Sequence, residues 1–542
     1  MKKVSFVSLF LALVFPISVI AAAAQPPSAS QRLHMKLAPP VSYDSGGPIT
    51  SSVAVADLNG DGKPDLVVVN NCQSINKYGY CVGNGEVAVL LGIGDGTFQP
   101  AVVYSTGAYG ADSVAIGDLR GKGVLDLVVA NMCLDQNCQQ DGAVSVLLGN
   151  GDGTFQPAVI YGSGSTYTWA VALGDLNGDG NLDLALINTY FGGIEYEGSV
   201  SVLLGNGNGT FQSAVGYGTG GRYPGSVAIG DLRGNGISDL AVAEFSGGSG
   251  NDGGAGVLLG NGDGTFQPVV TYDSGGEFAR SVAVGVLRGN GVLDVVVSNE
   301  WSSNEGSEDL RGELGVLLGN SNGTFQPPVG SLAHGVGAPS YPAIGLGSNS
   351  VVIGDVNGDS IPDVILVELC QKLKGEACIG DGQVNVLLGH GDGTFQSPIV
   401  YSSGGYGGSG VAVADVNGDG RPDVIAVSEQ VSPSNYEGTI AVFLNETTYT
   451  TKTALASSPN PSQVNQPVTF TATITSTPAV PNGELVTFYN GKTEIGTGTT
   501  TNTVATLTTS FSAAKTYTIK ATYPGDPFRK ASSGTVKQVV NP

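Results

Sequence analysis

Val53-Ala54-Val55-Ala56-Asp57-Leu58-Asn59-Gly60-Asp61-Gly62, followed after Lys63 by Pro64-Asp65-Leu66-Val67-Val68-Val69, is the stretch on which the fold turns. A short apolar run enters an acidic, glycine-punctuated turn and leaves it as a β-branched run, the pattern of strand, loop and strand. The unit recurs with its first loop position at Asp57, Asp118, Asp175, Asp231, Val286, Asp355 and Asp415, at spacings of 55 to 69 residues. A second element, Leu-Leu-Gly-Asn-Gly-Asp-Gly-Thr-Phe-Gln in its fullest form, places Phe98, Phe155, Phe211, Phe266, Phe325 and Phe395 in register with it. Seven supersecondary units in tandem are the signature of a repeat architecture.

Each unit parses as four strands, in the first repeat Ser52–Ala56, Asp65–Asn70, Val87–Leu91 and Ala101–Tyr104. No window carries a helical stripe. A four-stranded sheet cannot bury both faces alone, so the units must stack, and radial stacking also limits exposed edges. The phase of the repeat predicts how the ring closes. The seventh unit stops after three strands at Val442–Asn445, whereas Pro40-Val41-Ser42-Tyr43-Asp44 matches Ala101-Val102-Val103-Tyr104-Ser105. The N-terminal segment is therefore expected to supply the last strand of the last unit. A linear solenoid, the rival arrangement, would leave both ends open.

These residues resemble the FG-GAP (VCBS) repeat family, the seven-bladed propeller type of integrin α-subunit heads and of many bacterial exoproteins. The resemblance covers residues 40–446. The expected fold is all-β: a seven-bladed β-propeller followed by an immunoglobulin-like β-sandwich at 447–542.

The acidic loop carries oxygen side chains at positions 1, 3, 5 and 9, with a backbone carbonyl available at position 7. Alternate oxygen ligands on a short loop suit a hard cation of Ca²⁺ size. An EF-hand would need flanking helices and Glu at position 12, where Val68 stands in a strand. Four repeats keep the set: Asp57, Asn59, Asp61, Lys63 and Asp65; Asp175, Asn177, Asp179, Asn181 and Asp183; Asp355, Asn357, Asp359, Ile361 and Asp363; Asp415, Asn417, Asp419, Arg421 and Asp423. About four structural Ca²⁺ ions are expected, as the resemblance also implies. The third of these sets has Ser360 where the others have Gly. Three repeats depart together, with Arg120, Arg233 or Arg288 at position 3, so a guanidinium is expected to supply the positive charge there, pairing with Asp118 and Asp126 or with Asp231 and Asp239.

Composition bounds the function. The 542 residues include 84 Gly and only 13% charged residues, which suits many short strands and tight turns, and their formal charge of −23 argues against nucleic acid as a partner. Lys2 and Lys3 before the apolar run Val4 to Ile20, and Ala22-Ala23-Ala24 after it, read as an export signal over 1–24 with a linker over 25–39. No other stretch is long enough to cross a membrane, so the mature chain is expected to be secreted or at the cell surface, and monomeric. Six cysteines in close pairs, Cys72 with Cys81, Cys133 with Cys138 and Cys370 with Cys378, are expected to form disulfides that pin loops. Metal binding, the rival reading, would want nearby His or the two-residue spacing of zinc sites.

Strand order puts the acidic loops and Gly-rich turns on one face of the disc, and the Cys-bearing loops and blade connections on the other. Six of those connections present an aromatic, namely Tyr109, Tyr167, Tyr223, Phe278, Tyr341 and Tyr406, with Trp169 beside Tyr167. Five precede loop position 1 by eight or nine residues. Such a ring could stack on sugars or dock a protein, or simply pack between blades. Past Asn445 the sequence turns Thr-, Ser- and Pro-rich, with strand-like runs at Pro467–Ser476, Glu484–Asn490, Val504–Ser510 and Thr516–Tyr523, resembling bacterial Ig-like repeat domains. The three histidines, His34, His334 and His390, are isolated, and no catalytic constellation is present. The chain is thus expected to be no enzyme but an adhesion or recognition protein for an extracellular protein or glycan. A lectin with sugar pockets, or a structural envelope or matrix component, are the alternatives.

Overall fold

The computed structural model describes residues 35–136, 138, 141–189, 197–247, 252–301, 312–328, 341–342, 346–374 and 377–542. The expected export signal and His34 lie outside these residues, as do His334 and the side chains of Trp301, Tyr341 and Cys378. No helix among the described residues is long and apolar enough to cross a membrane.

The first blade is the antiparallel order Thr50–Ala56, Asp65–Asn70, Glu86–Leu90, Val102–Ser105, within a residue or two of the expected strands. All six residues of Asp65–Asn70 are buried. A strand covered on both faces is apolar throughout rather than alternating, and each second strand here is covered by the blades on either side. Seven such units follow one another. The third, fourth and fifth share one ten-stranded sheet, because Val215–Gly230 and Val270–Gly285 each run unbroken from the outer strand of one blade into the inner strand of the next. The outer strand of the fifth blade is described only at Tyr341–Pro342.

Packing closes the ring. Seven hydrophobic clusters are each shared by two adjacent blades; the last joins Leu66, Val68 and Phe98 of the first blade to Ile425, Val427 and Ile440 of the seventh. The N-terminal strand Val41–Pro48 pairs antiparallel with Glu437–Phe443, Val41 facing Val442 and Tyr43 facing Ile440. The seventh blade therefore takes its outer strand from the other end of the chain.

The C-terminal unit is a sandwich of a three-stranded and a five-stranded sheet around Phe470, Phe488, Ile519 and Tyr523. Asn490-Gly491, read from sequence as a hairpin turn, joins Leu485–Asn490 to Thr493–Thr499, whereas the strands at Lys452–Ser458 and Ser532–Asn541 were not expected from sequence. Disulfides join Cys72 to Cys81 and Cys133 to Cys138. Cys370 is also disulfide-bonded, and no free cysteine is found among the described residues.

Candidate functional site: acidic loops and an axial cavity

In the first acidic loop the side chains fold back on their own backbone. Asp57 Oδ1 accepts from the N–H of Gly60 at 2.8 Å and of Asp61 at 3.1 Å, and its Oδ2 from Gly62 at 2.8 Å. Asn59 and Asp61 accept in turn from the N–H two residues on, that of Lys63 in the case of Asp61. Asp65, fully buried, accepts from Leu58 N–H at 2.9 Å and from Gly92 N–H at 2.7 Å, so it ties the acidic loop to the Gly-rich turn. Asp175, Asp179 and Asp183 repeat this arrangement, as do Asp355, Asp359 and Asp363. In the last loop Asp415 and Asp419 accept from Gly420 and Arg421, and Asp423 from Val416 and Asn445. Ser360 holds φ at 67°, the left-handed backbone that Gly62, Gly180 and Gly420 adopt in the other loops.

Burial raises the position-9 carboxylate in both kinds of loop, Asp126 and Asp239 included, but the neighbouring charge is negative in these loops and positive in the others. Burial, then the charges of Asp57 and Asp61 working against two backbone hydrogen bonds, pushes Asp65 up to about 6. Burial with the charges of Asp359 and Asp355 takes Asp363 up to about 8. Asp359 Oδ2 and Asn357 Nδ2 are buried without a hydrogen-bond partner. In the remaining blades an arginine sits against the position-9 carboxylate. Arg120 donates from Nε and Nη2 to Asp126 at 3.1 and 2.5 Å and on to the Gly149 carbonyl at 2.8 Å. Arg233 does the same with Asp239 and Gly260, and Arg288 with Asp294 and Gly319. The expected pairing with Asp118 and Asp231 is absent from the described contacts; those carboxylates take backbone N–H groups instead. Among the described residues no group of three or more His, Cys, Asp or Glu side chains is gathered as a metal cage. Mutually repelling carboxylates in the first, third, sixth and seventh loops, and in the sixth an unpartnered buried oxygen, nonetheless fit a cation where no arginine sits on the position-9 carboxylate.

Two of those loops are covered. Arg529 of the C-terminal domain donates to the Gly358 carbonyl at 2.9 Å, with the Phe528 ring against Gly358. Arg421, at position 7 of the last loop, pairs with Asp419 and donates to the carbonyls of Asn445 and Pro527, both at 2.6 Å. The Ig-like domain thus sits on the acidic-loop face of the sixth and seventh blades.

The opposite face is built differently. Every inner strand carries a one-residue bulge at the same register: Thr50 and Ser52 face Asn70 and Val69, leaving Ser51 extra, and the same shift leaves Asp112, Trp169, Gly225, Arg280, Asn349 and Ser409. A bulge re-aims the side chain it carries. All seven residues line one cavity of about 590 Å³ on the propeller axis. Two residues before each bulge the backbone is left-handed, at Ile49, Gly110, Tyr167, Tyr223, Phe278, Gly347 and Gly407.

That register sorts the aromatics. Spacing of eight places Tyr167, Tyr223 and Phe278 at the left-handed position itself, whereas a spacing of nine puts Tyr109 and Tyr406 one residue earlier. Trp169 and Tyr223 line the axial cavity. The Trp169 indole N–H donates to Thr189 Oγ1 at 3.1 Å, and Tyr167 stacks on Trp169 with planes 15° apart. Phe278 is 8% exposed, against Phe245 at 4.3 Å, so it is packing rather than surface. Tyr341 pairs through its backbone with Leu314 in the fifth blade, away from this position. The sequence reading did not single out Asp112, Arg280 and Glu429, the charged residues of the cavity, because only the bulge register brings the first two there. It also passed over Tyr78 and Tyr80, 71% and 70% exposed beside the Cys72–Cys81 hairpin, whose position in a cysteine-bracketed loop was a usable signal.

Fold and face together define a propeller with an appended Ig-like domain. Family models match at residues 50–90 (FG-GAP repeat), at 132–186 and 377–426 (FG-GAP-like repeat) and at 454–541 (Bacterial Ig-like domain, group 3). The chain carries FG-GAP repeats followed by a bacterial Ig-like domain. No curated protein matches its sequence. Among solved structures, the V. cholerae biofilm matrix protein Bap1 aligns at 13% identity over 76% of this chain and 91% of its own, with a TM-score of 0.26. The GH43 beta-xylosidase/alpha-arabinofuranosidase CoXyl43, from a compost microbial metagenome, aligns at 12% over 53% and 98%, with a TM-score of 0.28. Likeness at that level identifies no function.

Proposed function

We propose that this chain is a secreted or surface-exposed recognition module that binds an extracellular protein or glycan through the face opposite its acidic loops, and that it is not an enzyme. The observation that carries this reading is the axial cavity, framed by bulge residues from all seven inner strands. Bulges on a rigid sheet ring point side chains of unlike chemistry at one space, as binding sites on stable scaffolds require. The acidic-loop face has the opposite character, with carboxylates turned onto their own backbone and two loops covered by the Ig-like domain.

Calcium belongs to that supporting face. When bound, it would supply positive charge to loops that lack an arginine on the position-9 carboxylate; Asp57, Asn59, Asp61 and Asp65 and their counterparts in the third, sixth and seventh blades would hold it, with Arg421 sharing Asp419 in the last. Chelation should then lower the melting temperature, and an unchanged melting curve in EDTA would count against a structural cation. Recognition is tested by screening the full chain against immobilised glycans and extracellular proteins. Trp169→Ala should abolish the signal, and retained binding would move the site off this face.

A further inference from the structure

We propose that the axial cavity is a site for a sugar bearing a free ammonium group, a hexosamine, with the ammonium between Asp112 and Glu429 and the ring against Trp169. The inference rests on the reading that the face opposite the acidic loops is the binding face, and it names the ligand class.

Charge is the first argument. The charged residues lining the cavity are Asp112, Arg280 and Glu429. Arg280 is already engaged: Nε and Nη2 donate to Glu300 Oε2 at 3.0 and 2.8 Å, and its guanidinium lies 4.9 Å over the Phe245 ring. Asp112 and Glu429 have no hydrogen bond or ion pair from any described residue. Both line the same cavity, and burial, with Glu429's charge added and Arg280's opposing, pushes Asp112 up to about 7. Burial raises Glu429 as well. Two carboxylates turned into one cavity without a partner are relieved by a cation placed between them.

The surroundings select the kind of cation. No third carboxylate lines the cavity among the described residues, so the oxygen-rich cage that a hard metal ion needs is missing. An indole and a phenol, Trp169 and Tyr223, stand there instead, and aromatic faces suit an organic ammonium or the C–H face of a sugar ring. Round the axis, Ser51 and Ser409 already donate to the Ala111 and Thr50 carbonyls, and Asn349 Nδ2 to the Gly408 carbonyl, which leaves their oxygens, with the Ser113 hydroxyl, to accept from the hydroxyls of a polyol. A lysine side chain would satisfy the carboxylates but leave these acceptor oxygens unused. The volume, about 590 Å³, lies within the roughly 300–1,000 Å³ of small-molecule sites.

The test is calorimetric titration of the full chain with glucosamine, N-acetylglucosamine and Nα-acetyl-lysine methylamide, with tryptophan fluorescence as a second readout. Glucosamine should bind at least about tenfold more tightly than its N-acetyl form, since a charge-assisted hydrogen bond is lost on acetylation. The near-isosteric Asp112→Asn and Glu429→Gln should each remove most of that preference without changing N-acetylglucosamine binding, while Trp169→Ala should weaken both sugars. Equal affinity for the two sugars would overturn the ammonium assignment and leave the binding face standing. Tighter binding of the lysine derivative would overturn the sugar. Glucosamine binding indifferent to both carboxylate substitutions, or no binding of any probe by a chain that still recognises a surface through Trp169, would remove the site altogether.

Discussion

Tyr43 meets Phe98 edge to face, with ring centroids 5.6 Å apart and planes at 89°, although one lies in the outer strand of the last blade and the other in the Gly-rich turn of the first. The same pair recurs at the blade junctions Tyr104–Phe155, Tyr161–Phe211, Tyr217–Phe266 and Tyr272–Phe325, at 5.4 to 5.7 Å. Between the sixth and seventh blades Tyr401 meets Phe443 at 6.2 Å, because the seventh has no Gly-rich turn to offer a phenylalanine. The closing junction thus uses the contact that holds the others.

If that pair closes the ring, its loss should cost what a buried aromatic costs. Phe98 is 7% exposed, so Phe98→Ala is expected to destabilise by about 3–5 kcal/mol. A double-mutant cycle with Tyr43→Ala should return a coupling of about 0.5–1.5 kcal/mol. Tyr43→Phe should be nearly silent, since the Tyr43 hydroxyl reaches the Gly96 carbonyl only at 3.5 Å. Additive single losses in denaturant unfolding would show that closure rests on the strand pairing alone.

The arginine blades make a separate prediction. Asp294 is fully buried, and Arg288 is its charged partner at 2.6 Å. Removing one member of a buried pair strands the other, so Arg288→Ala should cost about 3–5 kcal/mol. The loss should be the same with and without EDTA, because no cation serves that loop. A chelator-dependent loss, read from paired melting curves, would contradict the division between arginine and acidic loops.

Glu244 sets a pH dependence. It lies in the fourth blade at the register where Asn70, Asn131 and Asn188 stand in the first three, opposite the bulge, and both its carboxylate oxygens are buried without a hydrogen-bond partner. Burial pushes it up to about 8. A carboxyl whose folded pKa is raised binds its proton more tightly when folded. Stability from this group is therefore full below its ordinary value near 4.5 and falls as pH rises toward 8. Glu244→Gln should raise the melting temperature at pH 8 and leave it nearly unchanged at pH 4.5. Equal shifts at both pH values would mean that Glu244 titrates alike in the folded and unfolded chain.

Repeat, strand order and closing strand were legible because each depends on local chemistry. Asp61-Gly62 and Asp152-Gly153 can only be turns in that context, and Asp65–Asn70 can only be a strand covered on both faces. The bulges were not legible. Ser51, Asp112, Trp169 and Arg280 share no residue type, because a side chain aimed into an open channel is not constrained by packing. The aromatic spacings of eight and nine looked like scatter, yet they separate two backbone positions of opposite handedness. Strands Lys452–Ser458 and Ser532–Asn541 were missed for a related reason: Ser, Thr and other small residues on half-exposed strands blur the alternation. The arginine pairing was half legible, since charge alone did not say which of two aspartates the guanidinium would reach.

Nothing local in Pro527-Phe528-Arg529 announces that the Ig-like domain rests on the acidic loops, and this contact yields the last prediction. Gly358 has φ at 73°, and a Cβ placed there would overlap the Phe528 ring. Arg529 is 4% exposed, held by Asp526 at 3.0 Å and donating to the Gly358 carbonyl. Gly358→Ala should therefore strain the loop and push the domain away, whereas Gly60→Ala, at the matching position of the first loop with nothing within 4 Å, should strain the backbone alone. Limited proteolysis between Asn445 and Lys452 reports the difference, because Tyr449 N–H now donates to the Phe528 carbonyl at 2.7 Å and holds that linker against the domain. Faster cleavage in Gly358→Ala and in Arg529→Ala, with Gly60→Ala cut at the parental rate, is the expected result. Equal rates in all three would mean that the linker, and not the acidic loops, fixes the domain in place.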